Sequence, residues 1–353
     1  MRRETFTVYF IIIFLLTAAS AASFYYLRTA HFADPNLEQV IREVLGKPKG
    51  TLLKKDLAEI YELDAGGRGI NYLDGIQSLK NLRALNLIDN QVKDVTPLKN
   101  LTKLQVLSLR NNEITDLTDI NLAALKNLPE LKSLSLRHNV VRQEDSSQTR
   151  ISNIAVLENF TQLEKLELRD NHIQDITPLQ KLENLRVLDI SQNPLAEGNI
   201  DPLKDLTKLQ ELNLRETGIK DLSSLKNMPD LEYLNIHSNT EIENLEPVGN
   251  LKNLRSLIMR NVCTGGSLDF LAKLTLLSRL NIRNCSVQDI SALGDLMSRG
   301  ALQDNPALEI GADVDIRENP IPEKSRDEVD GYAPLRPYWG NITIPKPEVL
   351  PAD

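Results

Sequence analysis

Apolar residues recur along most of this chain in one fixed figure. In FTQLEKLELRDNHIQDITPLQK, residues 160–181, Leu163 and Leu166 stand three apart, Leu166 and Leu168 two apart, and Asn171, Ile173, Ile176 and Leu179 come after them. Leu182 begins the figure again. A spacing of two places Leu166 and Leu168 on the same face of an extended strand, so the two are buried together. Asn171 falls where the chain must turn out of that strand. Its amide both donates and accepts, and so can satisfy backbone groups inside a bend that water does not reach. Ile173, Ile176 and Leu179 then point inward along the return path.

From Tyr61 onward the strand signal repeats as Tyr61/Leu63, Leu85/Leu87, Leu107/Leu109, Leu134/Leu136, Leu166/Leu168, Leu188/Ile190, Leu212/Leu214, Leu234/Ile236, Leu257/Met259, Leu280/Ile282 and Val314/Ile316. The asparagine column runs through Asn90, Asn112, Asn139, Asn171, Asn193, Asn239 and Asn319, with Thr217, Val262 and Cys285 as departures. Pro97, Pro178, Pro202 and Pro247 recur on the return path, where a short 3₁₀ or extended segment needs no backbone donor. One such unit cannot close a core by itself, but stacked copies can. The pattern is that of a leucine-rich repeat, an α/β solenoid of parallel strands. Strands about 4.8 Å apart give a curved rod roughly 50 Å long.

Flanking segments break the figure. Arg2 and Arg3 precede an uncharged run from Thr5 to Leu27. At about 1.5 Å per residue that run is long enough to cross a hydrocarbon core of about 30 Å. Ala19-Ser20-Ala21 has the form of a signal-peptidase site, whereas Phe24, Tyr25 and Tyr26 extend the apolar stretch as an interfacial belt would. Residues 1–28 are therefore either a cleaved signal peptide or a signal-anchor helix, and both export the remainder of the chain. Residues 29–60 are expected to form a helical cap: Leu37, Val40, Ile41, Val44 and Leu45 have helical spacing, Asp34-Pro35 suits a helix start, and a second helix is expected near Lys54. The repeats occupy 61–319. Two coils carry insertions, near 118–124 and at Arg142–Arg150, the latter expected to bulge from the outer side. Residues 320–353 are a flank rich in Pro and charge, with Tyr332, Tyr338 and Trp339 able to cover the last coil.

LTKLQVLSLRNNEITDL and FTQLEKLELRDNHIQDITPL resemble the repeats, about 22 residues long, of the internalin-type bacterial surface proteins. The likeness extends over about 34–319, the helical cap included. It implies a right-handed horseshoe with its parallel strands on the concave face, used to hold a protein partner or host receptor. The chain ends Leu350-Pro351-Ala352-Asp353, without the cell-wall sorting signal that wall-bound relatives carry.

Composition narrows the function. Charged residues make up 25% of the 353, hydrophobic ones 41% and aromatic ones 5%, in keeping with a core of Leu and Ile. A net charge of −8 argues against a dedicated nucleic-acid binder. The four histidines show no HExxH or paired-ligand spacing, and neither GxSxG nor GxxxxGK[ST] occurs, so no enzyme, cofactor or metal site is expected. Gly66-Gly67-Arg68-Gly69 is expected to be a tight turn. Cys263 and Cys285 come from successive coils and are either two buried free thiols or one disulfide.

The candidate binding residues form a column one place beyond the second apolar strand position: Ile88, Arg110, Arg137, Arg169, Ser191, Arg215, His237, Arg260, Arg283 and Arg317. Alternation turns these side chains outward on the concave sheet. Tyr233, Ile258, Val106 and Val187 also face outward there. Like charges about 4 Å apart repel by about 1 kcal/mol in water, so a bare arginine stack is unfavourable. Glu167, Asp170, Asp189, Glu216, Asp315 and Glu318 lie beside it. The column is then either an arginine ladder neutralised by its neighbours, or a recognition strip for a carboxylate-rich protein or anionic polymer. The whole is expected to be an exported recognition protein, tethered to the membrane or secreted, with a structural envelope spacer as the alternative.

Overall fold

A computed structural model of the chain describes residues 28–114, 125–142, 148–263, 265–303, 313–321 and 331–338. Nearly all of the expected signal or anchor segment, the insertion near 118–124, the middle of the second insertion and Trp339 lie outside the described residues. Among the described residues no helix is long and apolar enough to cross a membrane. The chain divides into two compact units, Met1–Glu113 with Thr118–Leu131, and Ile114–Leu117 with Lys132–Asp353.

The N-terminal unit opens with helix α1, Pro35–Leu45, which buries Leu37, Val40 and Ile41. Asp34 caps it, its Oδ1 accepting from Asn36 N at 2.9 Å and Leu37 N at 3.3 Å. The other oxygen accepts from Asn71 N at 2.7 Å and Tyr72 N at 3.1 Å. One buried carboxylate thus ties the cap to the first coil. Gly46 ends α1 in the left-handed conformation, φ 62°. A single turn, α2, covers Lys54–Leu57. Strands β1 (Glu62–Asp64), β2 (Ala84–Asn86) and β3 (Val106–Ser108) then pair in parallel, with Leu63, Leu85 and Leu107 in register.

That register corrects the first strand pair. The buried residues of this coil are Leu63 and Ala65, at 2% and 0% exposure, and Tyr61 is 45% exposed. Tyr61 precedes the strand, so alternation does not bind it. It lies instead beneath Arg83, whose guanidinium carbon is 5.7 Å from the ring centroid.

The C-terminal unit carries β4 (Ser133–Ser135), β5 (Val140–Arg142), β6 (Gln148–Arg150), β7 (Lys165–Glu167), β8 (Val187–Asp189), β9 (Glu211–Asn213), β10 (Tyr233–Asn235), β11 (Ser256–Ile258), β12 (Arg279–Asn281) and β13 (Asp313–Asp315). All but β5 and β6 pair in parallel, in the order β4, β7, β8, β9, β10, β11, β12, β13. Leu134, Leu166, Leu188, Leu212, Leu234, Leu257, Leu280 and Val314 stack in one column. Short 3₁₀ segments such as Thr177–Lys181 and Asp201–Leu203 return the chain, each with proline in its first turn. One return is instead a true helix, α3, Ser291–Ser298.

The asparagines stitch each coil to the one before it. Asn193 Nδ2 donates to Leu168 O at 3.0 Å and to Ile190 O at 2.9 Å, and its Oδ1 accepts from Ile173 N at 3.0 Å. Asn239 and Asn112 make equivalent bonds. The departures keep part of this. Thr217 Oγ1 donates to Leu214 O at 2.6 Å, and Cys285 Sγ reaches Met259 O at 3.0 Å. Asn171 Oδ1, by contrast, is buried with no hydrogen-bond partner, and the coil before it is the one that carries the insertion.

The insertion at Arg142–Arg150 does not bulge from the outer side. It leaves directly after Asn139 as an antiparallel ribbon of β5 and β6, with Val140 opposite Arg150. The bend at the strand's end already exposes backbone groups, and a ribbon satisfies its own. Asp170 anchors its base by receiving both His138 Nδ1 and Arg150 Nη1. In the C-terminal flank, Leu335 is the fully buried residue, while Tyr332 and Tyr338 stay half-buried. Pro334 presses on Gly294 in α3, where an added Cβ would come within 2.6 Å of the proline Cβ.

Candidate functional site

The outward side of the sheet is built by position within the coil. Two residues before each member of the arginine column stands, in most coils, an Asn or Asp whose side chain accepts the column residue's own backbone N–H. Asn213 does so for Arg215 at 3.2 Å, Asn235 for His237 at 3.0 Å, Asn281 for Arg283 at 3.2 Å and Asp315 for Arg317 at 3.2 Å. These short polar side chains close a local turn and thereby aim the next outward residue.

One place after the column the backbone turns left-handed. Asp89, Asn111, His138, Asp170, Gln192, Glu216, Ser238, Asn261, Asn284 and Glu318 all have φ between 51° and 61°. Few residues tolerate this apart from Gly, Asn and Asp. Sequence reasoning missed this second column. Its signal was the frequency of Asn and Asp immediately before the asparagine ladder.

In the N-terminal unit Arg110 is exposed, and beyond it Asn111 Nδ2 donates to Asp89 Oδ1 at 2.8 Å. Within the C-terminal unit most of the column is half-buried, with Ser191 buried and Arg317 exposed, and its members differ in what they touch. Arg137 lies 3.8 Å from Glu167, too far for a hydrogen bond. Arg169 Nε donates to the neutral Gln192 at 2.8 Å. Arg215 pairs with Glu216 at 2.7 Å, Arg283 pairs with Glu318, and Arg317 grips Asp315 through Nε at 2.9 Å and Nη2 at 2.8 Å. Asp170 and Asp189 neutralise no arginine of the column: the first holds the ribbon, and the second accepts from Ser191. The Arg317 hydrogen bond holds the Asp315 carboxyl below the ordinary carboxylate range.

Strands β10, β11 and β12 place three rows of three outward residues side by side: Tyr233, Asn235 and His237; Ser256, Ile258 and Arg260; Arg279, Asn281 and Arg283. No carboxylate is among them. Beyond their ends Ser238, Asn261 and Asn284 form a neutral ladder, with Asn261 Nδ2 donating to Ser238 Oγ at 3.1 Å and Asn284 Nδ2 to Asn261 Oδ1 at 3.0 Å. Asp170, Glu216 and Glu318 put a carboxylate at this place in other coils of the unit. The Arg260 side chain has no hydrogen-bond or ion-pair partner among the described residues. Ile258 replaces the Asn or Asp that would bind its backbone. Four buried polar atoms of this patch, His237 Nδ1, Ser256 Oγ, Arg260 Nε and Arg283 Nε, are unpartnered. Burial first, then Arg215 and Arg260, depresses the His237 pKa, so the ring is neutral at pH 7. Tyr233, also half-buried, has its pKa raised by burial.

Cys263 and Cys285 are not joined by a disulfide. The Cys263 thiol is exposed, whereas burial pushes the Cys285 thiol up to about 11 and makes it inert as a nucleophile at neutral pH.

The family described as leucine-rich repeats (2 copies) matches residues 80–122, 161–205 and 207–250. Internalin C2 of Listeria monocytogenes is 33% identical over 65% of this chain and 94% of its own, with a TM-score of 0.58. The chain belongs to the internalin-type leucine-rich repeat proteins. Another internalin of that organism, InlF, is 27% identical over 90% of this chain and 96% of its own, with a TM-score of 0.70. A leucine-rich repeat protein of Leptospira interrogans, 21% identical over 84% of this chain and 75% of its own, with a TM-score of 0.65, shares the fold. The internalin-type fold is in general one of protein–protein interaction, which agrees with a site made of outward side chains on a rigid sheet rather than of a cleft.

Proposed function

We propose that this internalin-type protein is exported and holds a protein partner against the outward, concave side of its sheet. The observation that carries this reading is the fixed aim of the outward residues. The asparagine ladder behind the sheet and the Asn and Asp turns in front of it leave the column little freedom to lose on binding. In the C-terminal unit Arg137, Arg169, Arg215, Arg260, Arg283 and Arg317 supply charge and planar forks, His237 a neutral donor and acceptor, and Tyr233 and Ile258 apolar contact. Export is supported by Arg2, Arg3 and the apolar run from Thr5 to Leu27. The full-length chain, purified in detergent and used as bait, is expected to capture a saturable partner. Replacing Arg137, Arg169 and Arg215 with Ala should weaken that capture and lower its salt dependence. Unchanged capture would leave the column a structural ladder.

The pairs Arg215–Glu216, Arg283–Glu318 and Arg317–Asp315 favour a second reading, an envelope spacer without a tight ligand. In that case no partner saturates, and the same substitutions lower stability alone.

A further inference from the structure

The column is neutralised almost everywhere in the C-terminal unit except beside β10 and β11, at His237 and Arg260. Arg215, Arg283 and Arg317 hold carboxylates, and Arg169 holds an amide. Arg260 makes no hydrogen bond or ion pair among the described residues, although its charge is felt by Glu318, and its Nε is buried. Its neighbours share the condition: Ser256 Oγ lies two rows along the same strand, and His237 Nδ1 and Arg283 Nε stand on the strands either side. Buried polar atoms are nearly always paired, so four orphans on one outward patch of three adjacent strands mark a place where a ligand supplies the partners. We propose that this patch is a subsite for a single carboxylate, the side chain of an aspartate or glutamate in a partner protein, taken by the Arg260 fork while Tyr233 and Ile258 hold the apolar atoms beside it. The subsite rests on the concave-face reading.

Charge and shape select this ligand. A carboxylate has two oxygens in one plane, which a guanidinium meets with two parallel hydrogen bonds. A hydroxyl such as Ser256 Oγ can donate to a remaining lone pair. A polymer carrying repeated anions needs repeated uncommitted cations, and the arginines flanking Arg260 on β12 and β13 are already engaged. The neutral ladder of Ser238, Asn261 and Asn284 removes the carboxylates that would repel an incoming one. The Tyr233 ring and Ile258 suit the aliphatic atoms of a peptide side chain, which an inorganic anion lacks.

The test uses ¹H–¹⁵N spectra of the full-length protein in detergent micelles, following the arginine Nε–H signals. The probes are N-acetylglutamate methylamide, N-acetylglutamine methylamide and inorganic phosphate. The glutamate compound should shift the Arg260 signal saturably, with the glutamine compound and phosphate at least tenfold weaker. Arg260→Gln should abolish the shifts of neighbouring amides, Ser256→Ala should weaken binding several-fold, and Lys226→Gln, on a return segment, should change nothing. Unaltered backbone amides elsewhere check that each variant is folded. No saturable shift, or an equal response to the glutamine compound or to phosphate, overturns the proposal. If the captured partner depends on Arg137, Arg169 or Arg215 but ignores Arg260→Gln, the subsite falls while the concave-face reading stands. If the probe binds as expected but capture ignores every outward substitution, the concave-face reading falls instead.

Discussion

At the scale of single residues, position within the coil decides what an identical side chain does. Asn193 and Asn284 show this. Asn193 is buried and serves four backbone groups; Leu168 O keeps Asn171 Nδ2 and Ser191 O keeps Asp170 N, so Asn193→Ala leaves the Ile190 carbonyl and the Ile173 N–H unpaired. Each buried orphan costs about 1–3 kcal/mol, and the variant should lose at least about 2 kcal/mol in urea denaturation. Asn284 is exposed and left-handed, φ 54°, so Asn284→Ala should cost only about 1 kcal/mol. A similar result for both would mean that the ladder is not what holds the coils. His237 gives a second residue-scale prediction. Its pKa lies below 6.5, through burial first and then through Arg215 and Arg260. Because the folded state binds its proton less readily than the unfolded one, stability from this ring falls as pH drops from about 6.5 through the lower folded value. An NMR titration should place the ring's midpoint below 6.5, and Arg260→Gln should move it upward. A midpoint that ignores Arg260 would separate the two side chains.

Elements are held by single tethers at the two ends of the described chain. Asp34 binds α1 and the loop at Asn71 and Tyr72 at once. Burial opposes its charge, yet the four backbone N–H groups together hold the pKa below its ordinary value. A depressed carboxylate stabilises above its unfolded pKa of about 3.9 and loses that contribution as pH falls through the folded value. Asp34→Asn should therefore destabilise the protein at pH 7, by about 1–3 kcal/mol, with the gap to the parent protein narrowing below about pH 4. At the far end, Gly294→Ala should drive Pro334 off α3 and expose the flank to limited proteolysis, leaving the strand signal in circular dichroism intact. The leucine and asparagine columns of these elements were legible in the sequence because burial imposes a strict period, as at Leu166, Leu168 and Asn171. Tyr61 was misplaced because an aromatic residue two places before Leu63 imitates that period, and only pairing with β2 shows where β1 starts. The ribbon was legible as an insertion and not as a ribbon, since polar residues leave no burial pattern. The site was legible as a column. Which arginines are engaged depends on side-chain direction, and the mere nearness of acids in sequence does not carry that: Asp170 sits next to Arg169 and turns instead to His138 and Arg150.

For the molecule as a whole, the repeat makes a claim about phase. Stability in a stacked chain is close to a sum of coils and their nearest-neighbour faces, so a whole coil is removable and a fraction of one is not. Leu188 and Leu212 occupy the same place in successive coils. Excising 188–211 joins Val187 to Leu212, so that β7 meets the strand of the next coil in the same register and every later leucine keeps its depth. Excising 188–199 removes about half a turn of the spiral and sends Ile200 and Leu203 into the strand position, with the asparagine ladder broken above it. The first deletion should yield a soluble protein that unfolds cooperatively at a lower denaturant midpoint; the second should aggregate or unfold without cooperativity. Because β10–β12 and their rows are untouched by the whole-coil deletion, it should also bind the glutamate probe within about threefold of the parent protein, although Arg169 loses Gln192. Equal behaviour of the two deletions would contradict stacking by phase. Loss of the probe in the whole-coil deletion alone would show that recognition is spread along the column, not concentrated around Arg260.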